Sequence, residues 1–346
     1  MKKSPLEYPL PPHSQFLTAP VWLHRFALFT AACCFFLLFI GGLVTSHDAG
    51  LSVPDWPTSY GWNMFTFPMK DWIGNIYYEH THRLFATFVG FLILLEAILI
   101  QWKETRAWVK RLVWLALGGV ILQGVLGGVT VLFYLPPAIS SAHAGLGQAV
   151  FCITLAIAMV TSKKWNDELI KRPERARIEL RTLSLITVIA VFCQIMIGAV
   201  MRHTFSGLAI PTFPLAQNGS LIPDFTSFGI AINFAHRAGA FAVMLLIFAT
   251  ARAIFRYHNK DKQLFSAGML VVFLLGVQIM LGAITVWSSK AVTPTTLHVS
   301  GGAAILGVMV FIMVRSRHLF AAMHSKKTYK TEGTYAETPL VSIASE

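Results

Sequence analysis

Charge is what this chain has least of. Lys, Arg, Asp and Glu make up 13% of its 346 residues and hydrophobic residues 55%, where an ordinary soluble domain carries about 25% charged residues. So little charge cannot cover a water-exposed surface, which excludes the soluble classes and leaves a membrane protein. Acidic residues are scarcer still, 16 against 28 basic ones. A nucleic-acid partner would explain a basic surplus, but only if the basic residues formed one patch. They alternate by connection instead: Lys103, Arg106, Lys110 and Arg111, then Lys163, Lys164, Lys171, Arg172, Arg175, Arg177 and Arg181, then Arg252, Arg256, Lys260 and Lys262, with almost none between. By the positive-inside rule these connections and both termini face the cytoplasm. The charge therefore reports topology, and no nucleic acid is expected. Cysteine is also rare. Cys33, Cys34, Cys152 and Cys193 all fall inside apolar runs, so no structural disulfide is expected and each reads as a small buried hydrophobe.

The chain is rich in apolar runs of about 20 residues, the length that crosses a hydrocarbon core. Eight occur, at 26–44, 80–100, 112–133, 143–162, 181–201, 231–250, 264–287 and 297–314. Lys2 and Lys3 precede the first, but it is too long for a signal peptide and lacks a small-residue cleavage site. The segment before it is Pro-rich rather than Arg-rich, unlike a transit peptide. A multi-pass protein of a bacterial inner membrane is the expectation.

The second half repeats the first at nearly constant offset. "IGGLVTSHDAGLSVPDWP" (40–57) answers "IGAVMRHTFSGLAIPTFP" (197–214), and "EHTHRLFATFVGFLIL" (79–94) answers "NFAHRAGAFAVMLLIF" (233–248). "LQGVLGGVTV" (122–131) answers "VQIMLGAITV" (277–286), and "SSAHAGLGQA" (140–149) answers "TTLHVSGGAA" (295–304). The expected fold is all-α, with eight transmembrane helices as two pseudo-symmetric four-helix bundles in parallel repeat. Its segments are a tail 1–25, a repeat 26–162, a basic linker 163–180, a second repeat 181–314 and a tail 315–346.

The repeat selects four of the 12 histidines. His82 pairs with His236 and His143 with His298, each near the outward end of an even-numbered span. Paired imidazoles on facing helices are how bundles build cofactor sites, and two of them can ligate one haem iron axially. Zinc would want further ligands at short spacing, whereas the histidines of each half are about sixty residues apart with no cysteine nearby. Gly124, Gly127 and Gly128, answered by Gly282, and Gly145 and Gly147, answered by Gly301 and Gly302, would leave room for a haem or simply let helices approach. Arg83 and Arg237, each directly after a paired histidine, would neutralise haem propionates or snorkel to the headgroups. Glu79, three residues before His82, shares its helix face. It would serve the chemistry or pair with Arg83 one turn on. His80 points about 200° away from His82 and reads as an interfacial residue or a gate.

Eight spans in two repeats, the "EHTHR" motif, single histidines at 143, 236 and 298 and the "GLSVPDWPTSYG" loop resemble the haem A synthase family (CtaA/Cox15) of cytochrome oxidase assembly proteins. The likeness runs through the whole chain between the tails. It implies an enzyme that oxidises the C8 methyl of haem O to the formyl group of haem A, with haem b as cofactor. It further implies that His236 and His298, with Arg237, hold haem b in the C-terminal repeat. His82 and His143, with Arg83, would form the substrate side in the N-terminal repeat, where Glu79 would be catalytic. Candidate partners are haem O synthase, cytochrome oxidase subunit I and a second copy of the chain, all in the lipid bilayer. One departure stands out: many bacterial members flank Pro-Asp-Trp-Pro with cysteines, and Val53 and Ser59 occupy those places here. The competing readings are a b-type haem electron carrier, which would normally place haems near both membrane faces, and a transporter.

Overall fold

The computed structural model describes residues 20–167, 178–217 and 219–320. Most of the expected tails, and Lys171, Arg172, Arg175 and Arg177 of the expected linker, lie outside these residues. In lipid every backbone N–H and C=O must be satisfied within its own segment, and the chain answers with helices. Eight are long and apolar enough to span a membrane: α1 (Val21–Ser46), α2 (Asn75–Lys103), α3 (Ala107–Leu132), α4 (Pro137–Val160), α6 (Leu180–His203), α7 (Phe228–Tyr257), α8 (Lys262–Trp287) and α9 (Val292–Leu319). A five-residue helix, α5 (Lys163–Asp167), follows α4. Among the described residues there is no extended strand.

The helices overrun the apolar runs at almost every end. Hydropathy stops at the first polar side chain, but the backbone still needs its hydrogen bonds, so α2 begins at Asn75 and takes Glu79 and His80 into its second turn. Pro137 opens α4 at a position where its missing N–H costs nothing.

The helix contacts follow the same order in each half. α1 packs on α2 and α4, α2 on α3, and α3 on α4; α6 packs on α7 and α9, α7 on α8, and α8 on α9. The halves meet through α1 with α9, α4 with α6, and α4 with α9. The backbone turns match as well. Tyr134 and Leu135 after α3, and Ser289 and Lys290 after α8, are all left-handed, as are Asp48 after α1 and Phe205 after α6.

Packing is uneven along the membrane normal. The apolar cores, among them Leu23, Ile93, Ile100, Val113 and Ile157 in one half and Leu180, Ile247, Ile254, Leu264 and Ile312 in the other, gather at the end bearing the basic connections. Toward the other end α6 loses its buried positions, with nothing after Val191 buried, and α8 keeps only Ala283 there. The C-terminal bundle is therefore packed at the basic end and looser at the histidine end, whereas α1 and α3 stay buried there in the N-terminal one.

A latch closes the basic end. Asp261 caps α8 by accepting from the Leu264 N–H at 2.9 Å, and Arg315 of α9 donates to both its oxygens at 3.1 and 2.6 Å. Burial alone would raise this carboxyl, but the Arg315 and Leu264 hydrogen bonds hold it below the usual aspartate range. Its contribution is therefore present above the unfolded pKa and lost as pH falls through the depressed folded value. Asp261→Asn should cost about 2 kcal/mol, read as a lower thermal unfolding midpoint at pH 7, with wild type and variant converging in acid.

Candidate functional site

Each paired histidine lies in the second or third turn of an even-numbered span: His82 on α2, His143 on α4, His236 on α7 and His298 on α9. Each ring rests against a glycine of the preceding helix. A Cβ at Gly41 would meet His82 Cε1 at 3.3 Å, at Gly127 His143 Cε1 at 3.2 Å, at Gly198 His236 Cε1 at 2.9 Å and at Gly282 His298 Cε1 at 3.0 Å. Gly127 and Gly282 are among the glycines expected to leave room, and they do so for the imidazoles. Gly128 instead receives the Trp56 indole, and Gly124 meets nothing within 4 Å.

The structure brings His236 and His298 together, with ring centroids 6.4 Å apart and planes 71° apart. Two metal–imidazole bonds of roughly 2 Å each, added to the half-widths of two rings, span a gap of this size. His298 Nδ1 sits 3.1 Å from the Gln278 carbonyl; an N–H donated there fixes the tautomer and leaves Nε2 its lone pair. His82 and His143 lie within electrostatic reach of one another. Their Nδ1 atoms are buried with no hydrogen-bond partner, and an unsatisfied polar atom costs roughly 1–3 kcal/mol. All four rings are only half-buried although each lies against a neighbouring helix, as side chains lining a cleft are. Among the described residues no three His, Cys, Asp or Glu side chains gather as a metal site. The donor set is thus two imidazoles per half in apolar surroundings, which suits an iron whose other ligands come from a porphyrin.

Sequence reasoning misses the glutamines. Gln194 Nε2 donates to the His236 carbonyl at 2.7 Å, Gln278 Nε2 to the His298 carbonyl at 2.9 Å and Gln123 Nε2 to the His143 carbonyl at 2.9 Å. A signal is present in the aligned blocks, where Gln123 stands over Gln278, but a lone glutamine in an apolar span reads as ordinary interhelical glue. Arg202 and His203 at the end of α6 are missed too, because their repeat counterparts are Thr45 and Ser46. Arg202 donates to Ser46 Oγ at 2.8 Å, and the same oxygen accepts from Thr296 Oγ1 at 2.8 Å. The three side chains tie α6, α1 and α9 beside His298. His203 lies within electrostatic reach of His143, across the junction of the halves.

Arg83 and Arg237 clamp the loops. Arg83 donates to the carbonyls of Val53 at 2.7 Å, Asp55 at 2.6 Å and Thr58 at 3.1 Å. Arg237 donates to those of Ile210 and Thr212, both at 2.8 Å, which are the repeat counterparts of Val53 and Asp55. Glu79 is buried with both oxygens engaged, Oε1 by Arg83 at 2.6 Å and Oε2 by the Val53 N–H at 2.8 Å. Its counterpart Asn233 accepts from Arg237 and donates to the Ser206 and Gly207 carbonyls, all at 3.0 Å.

His80 is not interfacial: it is fully buried beneath the first loop, 3.2 Å from Ser59 Oγ and packed against Phe67 and Trp72. The loop covers it because "PDWPTSYG" folds tightly. Asp55 accepts from Thr58 Oγ1 and from the Tyr60 and Gly61 N–H groups. Partial burial pushes its carboxyl upward, but these donors hold it below the usual range.

Val53 and Ser59 are both fully buried, and the free cysteines all lie on spanning helices, Cys193 exposed on the side of α6. Activity should therefore survive a membrane-impermeant thiol reagent and disulfide reduction; loss on either treatment would show that one of these four cysteines is reachable and essential.

A family model described as cytochrome oxidase assembly protein (COX15-CtaA) matches residues 63–310. Among curated proteins, one named heme A synthase from Bacillus pumilus is 24% identical over 84% of this chain and 93% of its own length. Another of that name from Macrococcus caseolyticus is 25% identical over 86% and 97%. A third, from Symbiobacterium thermophilum, is 30% identical over 60% and 67%.

Proposed function

We propose that this chain, which belongs to the COX15-CtaA family of cytochrome oxidase assembly proteins, is a haem A synthase that oxidises the C8 methyl of haem O to a formyl group. The observation that carries the reading is the His236–His298 pair, set 6.4 Å apart in the open end of a bundle. His236 and His298 would hold haem b, and His82 and His143 would receive haem O. When bound, haem b supplies the redox chemistry. The chain's own residues position and exclude. The glycines seat the imidazoles, the glutamines fix three of the histidines, and the loops closed by Arg83 and Arg237 cap the clefts against water. Arg83 and Arg237 thus serve the haems through the loops they hold. Glu79 would present its charge beside the substrate's reacting edge, where it orients the field and takes up a proton.

The membrane is taken to be a bacterial inner membrane, with the basic connections and both termini cytoplasmic. Haem O synthase as the source of substrate and cytochrome oxidase subunit I as the acceptor of product fit this role. An electron carrier fits less well, because all four histidines lie at one end of the bundles.

Two measurements test the reading. Coexpression with a source of haem O followed by haem extraction should yield haem A; haem O alone would overturn the activity. His236→Met and His298→Met should each alter the spectrum and potential of the resident haem; unchanged values in both would overturn the ligand assignment.

A further inference from the structure

The glutamine joint occurs three times, and the fourth place is filled differently. In α6–α7, α8–α9 and α3–α4 the glutamine donates to the histidine carbonyl, and its amide lies over a glycine one turn past the histidine. Gly239 and Gly301 face the oxygens of Gln194 and Gln278, and Gly147 faces Gln123 Nε2. At the repeat position of Gln194, four residues before Gly41, stands Leu37, and at that of Gly239 stands Phe85. Both halves of the joint are therefore replaced together by apolar groups. Leu37 and Phe85 pack against the N-terminal core, and Phe85 meets Phe36 edge-on at 5.4 Å. Phe36 and Phe88 on this seam are 50% and 42% exposed, so its outer side faces lipid. The polar ties between α1 and α2 lie above it: Asn75 donates to the His47 carbonyl at 3.0 Å, and His47 stacks on Tyr78.

In a bilayer this substitution changes how readily a pair of helices separates. A glutamine pulled off a carbonyl in hydrocarbon strands both groups, whereas lipid tails replace phenylalanine contacts at little cost. Three of the four histidines thus sit on helix pairs that resist separation, and His82 sits on the one that does not. We propose that the seam between α1 and α2 is where the substrate porphyrin enters and leaves, with His82 as the ligand that lets go. This rests on the haem-site reading above. A resident cofactor calls for two fixed ligands and a substrate site for one that yields, and the glutamines divide the histidines that way.

The experiment uses the full-length protein in lipid nanodiscs, loaded with haem b as the probe and mixed with excess apomyoglobin as a haem acceptor. Transfer should show a fast and a slow phase, the fast one abolished by His143→Ala. Leu37→Gln with Phe85→Gly rebuilds the joint and should slow the fast phase roughly fivefold, the scale of one net hydrogen bond, leaving the slow phase unchanged. Gln194→Leu removes a joint without a large change in volume and should speed the slow phase by a similar factor, keeping the test decisive should the double variant misfold. An unchanged fast phase in a folded double variant, or an unchanged slow phase in Gln194→Leu, would overturn the seam. Protein that takes up no haem in either phase would instead overturn the haem-site reading.

Discussion

Arg83→Leu should destabilise the protein by about 3–5 kcal/mol, the scale for breaking a buried ion pair by removing one partner, and should open the first loop to protease. The guanidinium gathers three loop carbonyls and the Glu79 carboxylate, and the pair is nearly closed to solvent, at 10% and 5% side-chain exposure. Removing it leaves a buried carboxylate with backbone N–H donors alone, Val53 the nearest at 2.8 Å, and three carbonyls without their donor. Arg83→Lys should rescue little, because one ammonium cannot span carbonyls spread over six residues with the planar fork that Arg offers. Arg237→Leu should cost less, about 1–3 kcal/mol, since its same-helix partner is the neutral Asn233 and no charge is left unpaired. Limited proteolysis of the loop over residues 47–74, with thermal unfolding of the same samples, checks both. Equal losses in the two variants would show that the Glu79 charge adds nothing to the clamp.

The contrast between these arginines shows where the sequence is legible and where it stops. The eight spans follow from hydrophobic length, because lipid leaves the backbone no alternative to helices. The four histidines follow from the repeat, because a constraint written twice stands out from a single polar residue. His80 is misread because helix geometry assigns a direction but not what lies there; the first loop, folded on Asp55, turns an apparently interfacial ring into a buried one. The loop contacts of Arg83 and Arg237 are not legible, because the carbonyls they hold carry no side-chain signature. Gln194 escapes for a related reason: its function is a bond to a backbone oxygen on the next helix, and its counterpart Leu37 hides the repeat. Side-chain chemistry repeated at fixed spacing is readable, while side chains that serve backbone groups emerge only once the chain is folded.

Glu79→Gln should lower conversion of haem O to haem A by about a hundredfold, the lower end of the range for losing a positioned acid or base, while leaving intact the spectrum of the haem proposed for the C-terminal half. The structure sharpens the alternative, that the acid serves only as the partner of Arg83 and Val53. An amide manages the corresponding task in the other half, where Asn233 accepts from Arg237 and donates to two loop carbonyls. Holding a loop therefore does not by itself call for a carboxylate in this environment, where a buried charge is costly even when paired. What the carboxylate adds is a negative charge one turn from His82 on the same helix face, which under the proposed role would meet positive charge or a proton appearing as the substrate methyl is oxidised. Gln preserves length and can still accept from Arg83, so the structural loss should stay near about 1–2 kcal/mol. The two roles then separate on two readouts. Activity that falls far more than loop protection places Glu79 in the chemistry. Activity and protection that fall in parallel make it an anchor for the first loop, and haem A formed at the normal rate would leave its charge as nothing more than the counterion of Arg83.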